Sequence, residues 1–272
     1  MANISTELNI INTNVYGESV RDSIISASYK LNLDVQTSGL SGLYRGNNLG
    51  SGATFAAAST EDQRTAISSG TFEGLFIGDY WTINNIAYRI ADFNYWRKTG
   101  NSDLAINHLV LVPNDGKFGK VKMNSSAITT GAYIGSDMYT TSLESVRTRL
   151  NTDFGSYLLS HKRYFPNTTV DGAQSAGAWY DSTVDLMNEI MVFGAHIMCK
   201  SFNDSYVFSS EKDQLALFKY HSSFIANSNY PYWLLDVASS NSFCSVNSDG
   251  SSNKTTSNNT STYIRPVIAV KG

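Results

Sequence analysis

The sequence predicts an α+β fold, with twisted antiparallel sheets and two helices, preceded by an extended arm and a short oligomerising helix. Three observations predict it. Beyond Gly70, β-branched and aromatic runs alternate with turn dipeptides; one stretch from Leu143 has a clear helical period; and apolar residues near the start repeat at heptad spacing. The chain accordingly divides into an arm and helix (1–36), a Gly/Ser/Thr-rich connector (37–72) and one domain (73–272).

In residues 1–15, Ile4, Leu8 and Ile10 alternate loosely among polar neighbours, which suits a terminal arm. Val20, Ile24, Ala27 and Leu31 then recur at intervals of four, three and four, the a/d seam of a coiled coil. Two heptads are too short to hold a lone helix in water, so these four residues are expected to gather copies of the chain into a homotrimer. Leu40–Gly52 is glycine-rich, and Ser59-Thr60-Glu61-Asp62 ahead of Ala66 and Ile67 predicts a short capped helix.

The strands expected are Leu75–Ile77, Tyr80–Ile83, Tyr88–Ala91, Leu109–Val112, Tyr232–Leu235, Phe243–Val246 and Ile264–Val270. Asn84-Asn85 sits between two of them as a hairpin turn, because Asn tolerates the left-handed backbone. Leu143, Val146, Leu150 and Phe154 predict an amphipathic helix over Leu143–Leu159. Val184–Val192 reads as a second helix or else a buried strand, with Ser182 and Asp185 as a capping box and Gly194 as its end. Asn247–Thr262 is too polar to bury and is expected as a surface loop.

Composition narrows the function. Apolar residues make up 42% and aromatics 12%, enough for a sizeable core, but charged residues only 16%. The surface therefore depends on neutral Ser, Thr and Asn. The net charge is −3, with Lys and Arg scattered, so no cationic stripe for nucleic acid is present. No basic-then-apolar leader opens the sequence and no apolar run approaches the roughly 18 residues of a membrane span, so membrane insertion is not expected. Cys199 and Cys244 have apolar neighbours and read as separate buried thiols.

The phrase Gly78-Asp79-Tyr80-Trp81-Thr82-Ile83 continues through Tyr88-Arg89-Ile90-Ala91. With the later Tyr232-Trp233-Leu234-Leu235-Asp236-Val237 and the closing Tyr263-Ile264-Arg265-Pro266-Val267-Ile268, it resembles C-type-lectin-like domains of phage and bacterial proteins of Firmicutes, over about residues 70–272. Asn12–Leu31 similarly resembles the opening of Firmicutes phage tail, baseplate and fibre proteins. The resemblance implies a bacteriophage structural protein on the virion surface, made in the host cytoplasm. Its N-terminal segment would bind other virion proteins and its lectin-like head a host-surface glycan, as a receptor-binding tail or fibre component. A capsid decoration protein or head fibre is the alternative within that class, and a cell-wall-degrading enzyme is the alternative outside it. The Glu-Pro-Asn or Gln-Pro-Asp loop and the Trp-Asn-Asp strand of calcium-dependent lectins are absent, so calcium is not expected.

No catalytic residue, cofactor or metal ligand set is expected. His108, His161, His196 and His221 lack the spacing of short zinc motifs, and there is no nucleophile elbow. His108, ahead of Leu109–Val112, reads as a satisfied strand-end histidine. Asp181, Asp185 and Glu189, four apart, would share a helix face like the acids of a glycosidase, but an acidic helix edge is the commoner meaning. The candidate glycan-binding residues are the aromatics Tyr180 and Tyr230, whose faces would stack on a sugar ring, and the polar Asn241, Asp249, Asn253, Asn258 and Asn259, which would bond its hydroxyls.

Overall fold

The Asn84-Asn85 signal lands as the sequence predicts. Both residues have positive φ (46° and 63°) and join strand β2 (Tyr80–Ile83) to β3 (Ile86–Phe93) in a two-residue hairpin. A computed structural model of the chain describes residues 45–97, 104–200, 211 and 213–272, together with Ile24. Val20, Ala27, Leu31 and the arm lie outside the described residues; Ile24 is helical and 50% exposed.

The architecture is mixed α+β. Strand β1 (Asn48–Gly52) runs parallel to β2, and the main sheet continues antiparallel through β3, β4 (Leu109–Pro113), β11 (Pro266–Val270) and β7 (Val184–Leu186). Every residue of β4 and β11 is buried, which is why both read as unbroken apolar runs and not as alternating ones. A second sheet is the meander β8 (Tyr232–Ser239), β9 (Ser242–Val246) and β10 (Ser252–Thr256). A third is the two-stranded ribbon β5 (His161–Val170) and β6 (Ala173–Ser182).

Among the described residues, five α-helical segments that the structure bounds pack around these sheets: α1 (Phe55–Ala58), α2 (Glu61–Ser69), α3 (Leu143–Phe154), α4 (Glu189–Phe193) and α5 (Ala216–Tyr220). Two helices were expected, and only α2 and α3 exceed five residues. Helix α2 is capped by Thr60 in a complete capping box with Gln63. Helix α3 buries Leu143, Val146, Leu150 and Phe154, the four residues whose spacing predicts it. It stops at Phe154 and not at Leu159, because Gly155 takes φ 54° and the chain tightens into one 3₁₀ turn. Among the described residues no helix is long and apolar enough to cross a membrane.

The structure differs from the sequence expectations in four further places. Residues 37–72, from Arg45 onward, are not a free connector: Phe55, Ile67 and Phe72 are core residues, and Phe55 packs edge-on to Trp81 at 5.3 Å. Leu75–Ile77 is buried but not a strand, since positive φ at Phe72, Gly74 and Gly78 keeps bending the chain around it. An apolar run reports burial, not extension. Val184–Val192 splits into β7 and α4, whose N-cap is Asn188, accepting from the Met191 N–H, while the Ser182 hydroxyl donates to Asp185 instead of capping a helix. Asn247–Thr262 is not all loop, because β10 pairs with β9 inside it.

Candidate functional site

Two chemically distinct places stand out, and the first is an aromatic pair in which Tyr230 is exposed and Tyr263 half-buried. Asn227, Ser228 and Asn229 take positive φ in succession (44°, 54°, 71°), a conformation that costs energy in non-glycine residues and is commonest at ligand-binding turns. The turn is held from below: Asn227 Nδ2 donates to the Asp115 carbonyl at 3.3 Å and Ser228 Oγ to the Asn114 carbonyl at 2.9 Å. Tyr230 follows, 38% exposed, its ring lying over Gly116 so closely that a Cβ there would be 2.7 Å from it. It meets Tyr263 edge-to-face, with centroids 4.8 Å apart, and the Lys120 ammonium is 5.2 Å from the Tyr263 ring.

Beside the Lys120 ammonium, the polar groups near this pair include several bonded to one another. The turn after β9 reaches Ala226 through Gly250. In it, Asp249 Oδ1 accepts the N–H and hydroxyl of Ser251, which hold the carboxyl below its usual range, and Asn253 Nδ2 donates to Asn247 Oδ1 at 2.8 Å. Strand register puts Tyr230, Asp249 and Asn253 at one end of the β8–β10 sheet, because Tyr232 and Ser252 both pair with Val246.

The other predicted residues lie elsewhere. Asn241, Asn258 and Asn259 occupy the opposite end, where Ser242 pairs with Thr256. Asn241 Oδ1 accepts from the Ser239 and Ser242 hydroxyls, and Asn259 Oδ1 from the Ser261 N–H and the Thr262 hydroxyl. Tyr180 is on β6, stacked on Phe165 at 6.2 Å, with its hydroxyl accepting from Asn167. The predicted set is therefore three groups, of which one gains partners the sequence did not offer: Tyr263, Lys120 and Gly116. The Asn-Ser-Asn run ahead of Tyr230 was the available signal.

The second place is a polar pocket between α4 and β8. Asp236 interrupts the apolar strand β8 and is buried. Its Oδ2 accepts the backbone N–H of Glu189, the first residue of α4, at 2.6 Å. The Glu189 carboxylate, itself buried, accepts from the backbone N–H groups of Ile197, Met198 and Cys199 at 2.9–3.1 Å and from the Ser252 hydroxyl at 3.2 Å. The chain after Gly194 thus winds around one carboxylate.

That winding brings donor atoms of His196, Cys199 and Asp236 within 4.8 Å of one another. Gln174 ties the pocket to the ribbon: its Nε2 donates to Cys199 Sγ at 3.2 Å while its Oε1 accepts from the Val237 N–H. Burial, and then the negative charge of Glu189, push the Asp236 carboxyl up to about 8. Burial and the same carboxylates raise the Cys199 thiol, and burial lowers the His196 imidazole. Cys199 and Cys244 are both free thiols, the second fully buried. Sequence reasoning missed this cluster, although His196 and Cys199 stand three residues apart and Asp236 lies inside an otherwise apolar run.

The predicted acids Asp181 and Asp185, and His108, belong to neither place. Asp181, Asp185 and Glu189 share no helix face: Asp181 is exposed on β6 and paired with Lys162, and Asp185 on β7 is held by Tyr133, Ser182 and Arg147. His108 Nδ1 lies 2.9 Å from the Ile106 carbonyl and its Nε2 accepts the Trp96 N–H, so the ring is neutral, and burial lowers its pKa to about 4. It is the satisfied strand-end histidine that the sequence suggests. Compared with known protein families, with characterised proteins and with solved structures, the chain matches none of them.

Proposed function

We propose that this chain is a non-enzymatic component of a bacteriophage surface, a C-type-lectin-like head borne on an oligomerising N-terminal segment, and that it binds a saccharide of the host envelope. The observation that carries the proposal is the exposed Tyr230 ring paired with the half-buried Tyr263 on their interlocked turns. A pyranose presents an apolar C–H face and a rim of hydroxyls. The ring faces supply the first contact, and Lys120, Ser228 and Asn229 beside them supply donors and acceptors for the second.

The composition of the chain supports the same reading. A surface rich in Ser, Thr and Asn bonds uncharged hydroxyls without steering anions or cations, and a weak single site is made firm by several copies acting together. Placement in the tail or on the capsid shell follows from what the N-terminal segment binds, and labelling intact particles with an antibody against the 73–272 domain assigns it.

The test is direct. Purified full-length chain is incubated with host cell walls, and both bound protein and released sugars or amines are measured. Binding without release, lost in Tyr230→Ala while the melting temperature holds, is the expected result. Release of wall fragments overturns the non-enzymatic reading.

A further inference from the structure

The pocket between α4 and β8 supports a second, independent assignment. We infer that His196, Cys199 and Asp236 form a mononuclear site for a zinc-like divalent ion, with a fourth position open to water or an external ligand.

The donor set is of the right kind. Imidazole nitrogen, thiolate sulfur and carboxylate oxygen are the three protein ligands that zinc takes, and three of them leave a fourth tetrahedral position for water or an external ligand. The spacing is near what coordination needs. A tetrahedral ion with bonds of about 2.0–2.3 Å sets its ligand atoms roughly 3.3–3.8 Å apart. Donors already within 4.8 Å require a contraction of about an ångström, which His196, exposed on its loop, can supply by a side-chain rotation.

A second observation points the same way. Glu189 and Asp236 are buried side by side, linked through the Glu189 N–H, and among the described residues neither makes an ion pair with Lys or Arg. Adjacent buried carboxylates without a cation are costly, and a divalent ion removes that cost. Glu189 is not itself counted as a ligand, since its oxygens are committed to three backbone N–H groups and a hydroxyl. It acts as a positioning residue, fixing the turn that carries both His196 and Cys199. Gln174 completes the outer layer: an amide N–H directed at Cys199 Sγ stabilises a thiolate more than a thiol.

The experiment uses the full chain stripped of metal with a chelator. Zinc alone is added in a calorimetric titration, and cobalt(II) is then used as a spectroscopic stand-in. The expected outcome is one zinc per chain and, with cobalt, intense visible bands with a thiolate-to-metal charge-transfer band. His196→Ala and Cys199→Ser should each weaken zinc binding by about 100-fold, and Cys199→Ser should abolish the charge-transfer band. Because His196 is exposed, its variant tests the site even if a substitution at Asp236 prevents folding. Failure to take up zinc overturns the assignment, as does uptake that survives both His196→Ala and Cys199→Ser.

Discussion

Arg163 Nε donates to Glu211 Oε1 at 2.7 Å with both side chains sealed in the interior. The same carboxylate oxygen accepts Trp96 Nε1–H at 2.9 Å, and Arg163 Nη1 donates to the Leu186 carbonyl. The guanidinium also lies 4.9 Å from the Phe165 ring centroid. One ion pair thus ties the β5–β6 ribbon to β7 and to the turn after β3.

Glu211→Gln keeps an acceptor for Trp96 but leaves the Arg163 charge uncompensated, and should destabilise the chain by about 3 kcal/mol in urea denaturation. Adding Arg163→Met to that variant removes the orphaned cation. The double variant should therefore be more stable than Glu211→Gln alone; if the two substitutions simply add, the pair is not coupled as described.

His161 packs at a tilt on Trp96 with ring centroids 4.1 Å apart, and among the described residues its Nε2 has no hydrogen-bond partner. Burial, and then the Arg163 charge, lower its pKa from 6.5 to about 3. The unfolded chain therefore binds a proton on this ring below about pH 6.5 that the folded chain refuses until about pH 3. Its contribution to stability falls as pH drops through that window and is absent above it. His161→Phe removes the contribution, so relative to wild type it should gain on the order of 3 kcal/mol between pH 7 and pH 4, read from urea midpoints at each pH. A constant difference between the two proteins across that range would refute the assignment.

The tip of the β5–β6 ribbon docks through Gly172, which has φ 75° and no room for a side chain: a Cβ would lie 2.3 Å from the Ser240 backbone nitrogen. Gly172→Ala should cost about 2–3 kcal/mol, more than the conformational penalty alone, since it also levers the ribbon off the turn between β8 and β9. At Asn85, exposed in the hairpin turn with φ 63°, Asn85→Gly should be neutral or stabilising by up to about 1 kcal/mol. Thermal melts of the two variants should move in opposite directions or one not at all.

Removal of residues 1–36 tests the heptad seam. Light scattering should report a change from trimer to single chain, with the rest of the chain still folded by circular dichroism. An unchanged assembly would place the association surface elsewhere.

Much of this fold was written in short-range pattern. The α3 stripe, the Asn84-Asn85 turn and the apolar runs of β4 and β11 each declare themselves within a dozen residues, because periodicity and turn chemistry act locally. The β5–β6 ribbon did not. His161–Val170 and Ala173–Ser182 lack dense β-branched character, and their burial comes from partners far along the chain, such as Val237 bonded to Gln174. The candidate sites follow the same rule. Tyr230 was legible as an aromatic among polar neighbours, but its pairing with Tyr263 and support by Asn114 and Asp115 are products of tertiary folding. Asp236 and Cys199 are drawn together because Glu189 holds both, donating its N–H to one and accepting the N–H of the other, and Gln174 and the Lys200–Val237 bond join the same segments.

The position of β11 has a consequence for how the molecule comes to exist. Ile268 sits between Leu111 of β4 and Val184 of β7. During synthesis, therefore, two hydrophobic strand borders wait bare until residues 266–270 have left the ribosome, and nothing made earlier can bridge them. A nascent chain stalled before that point exposes sticky edges, so arrested or slowly translated copies should depend on holdase chaperones in a way that completed ones do not.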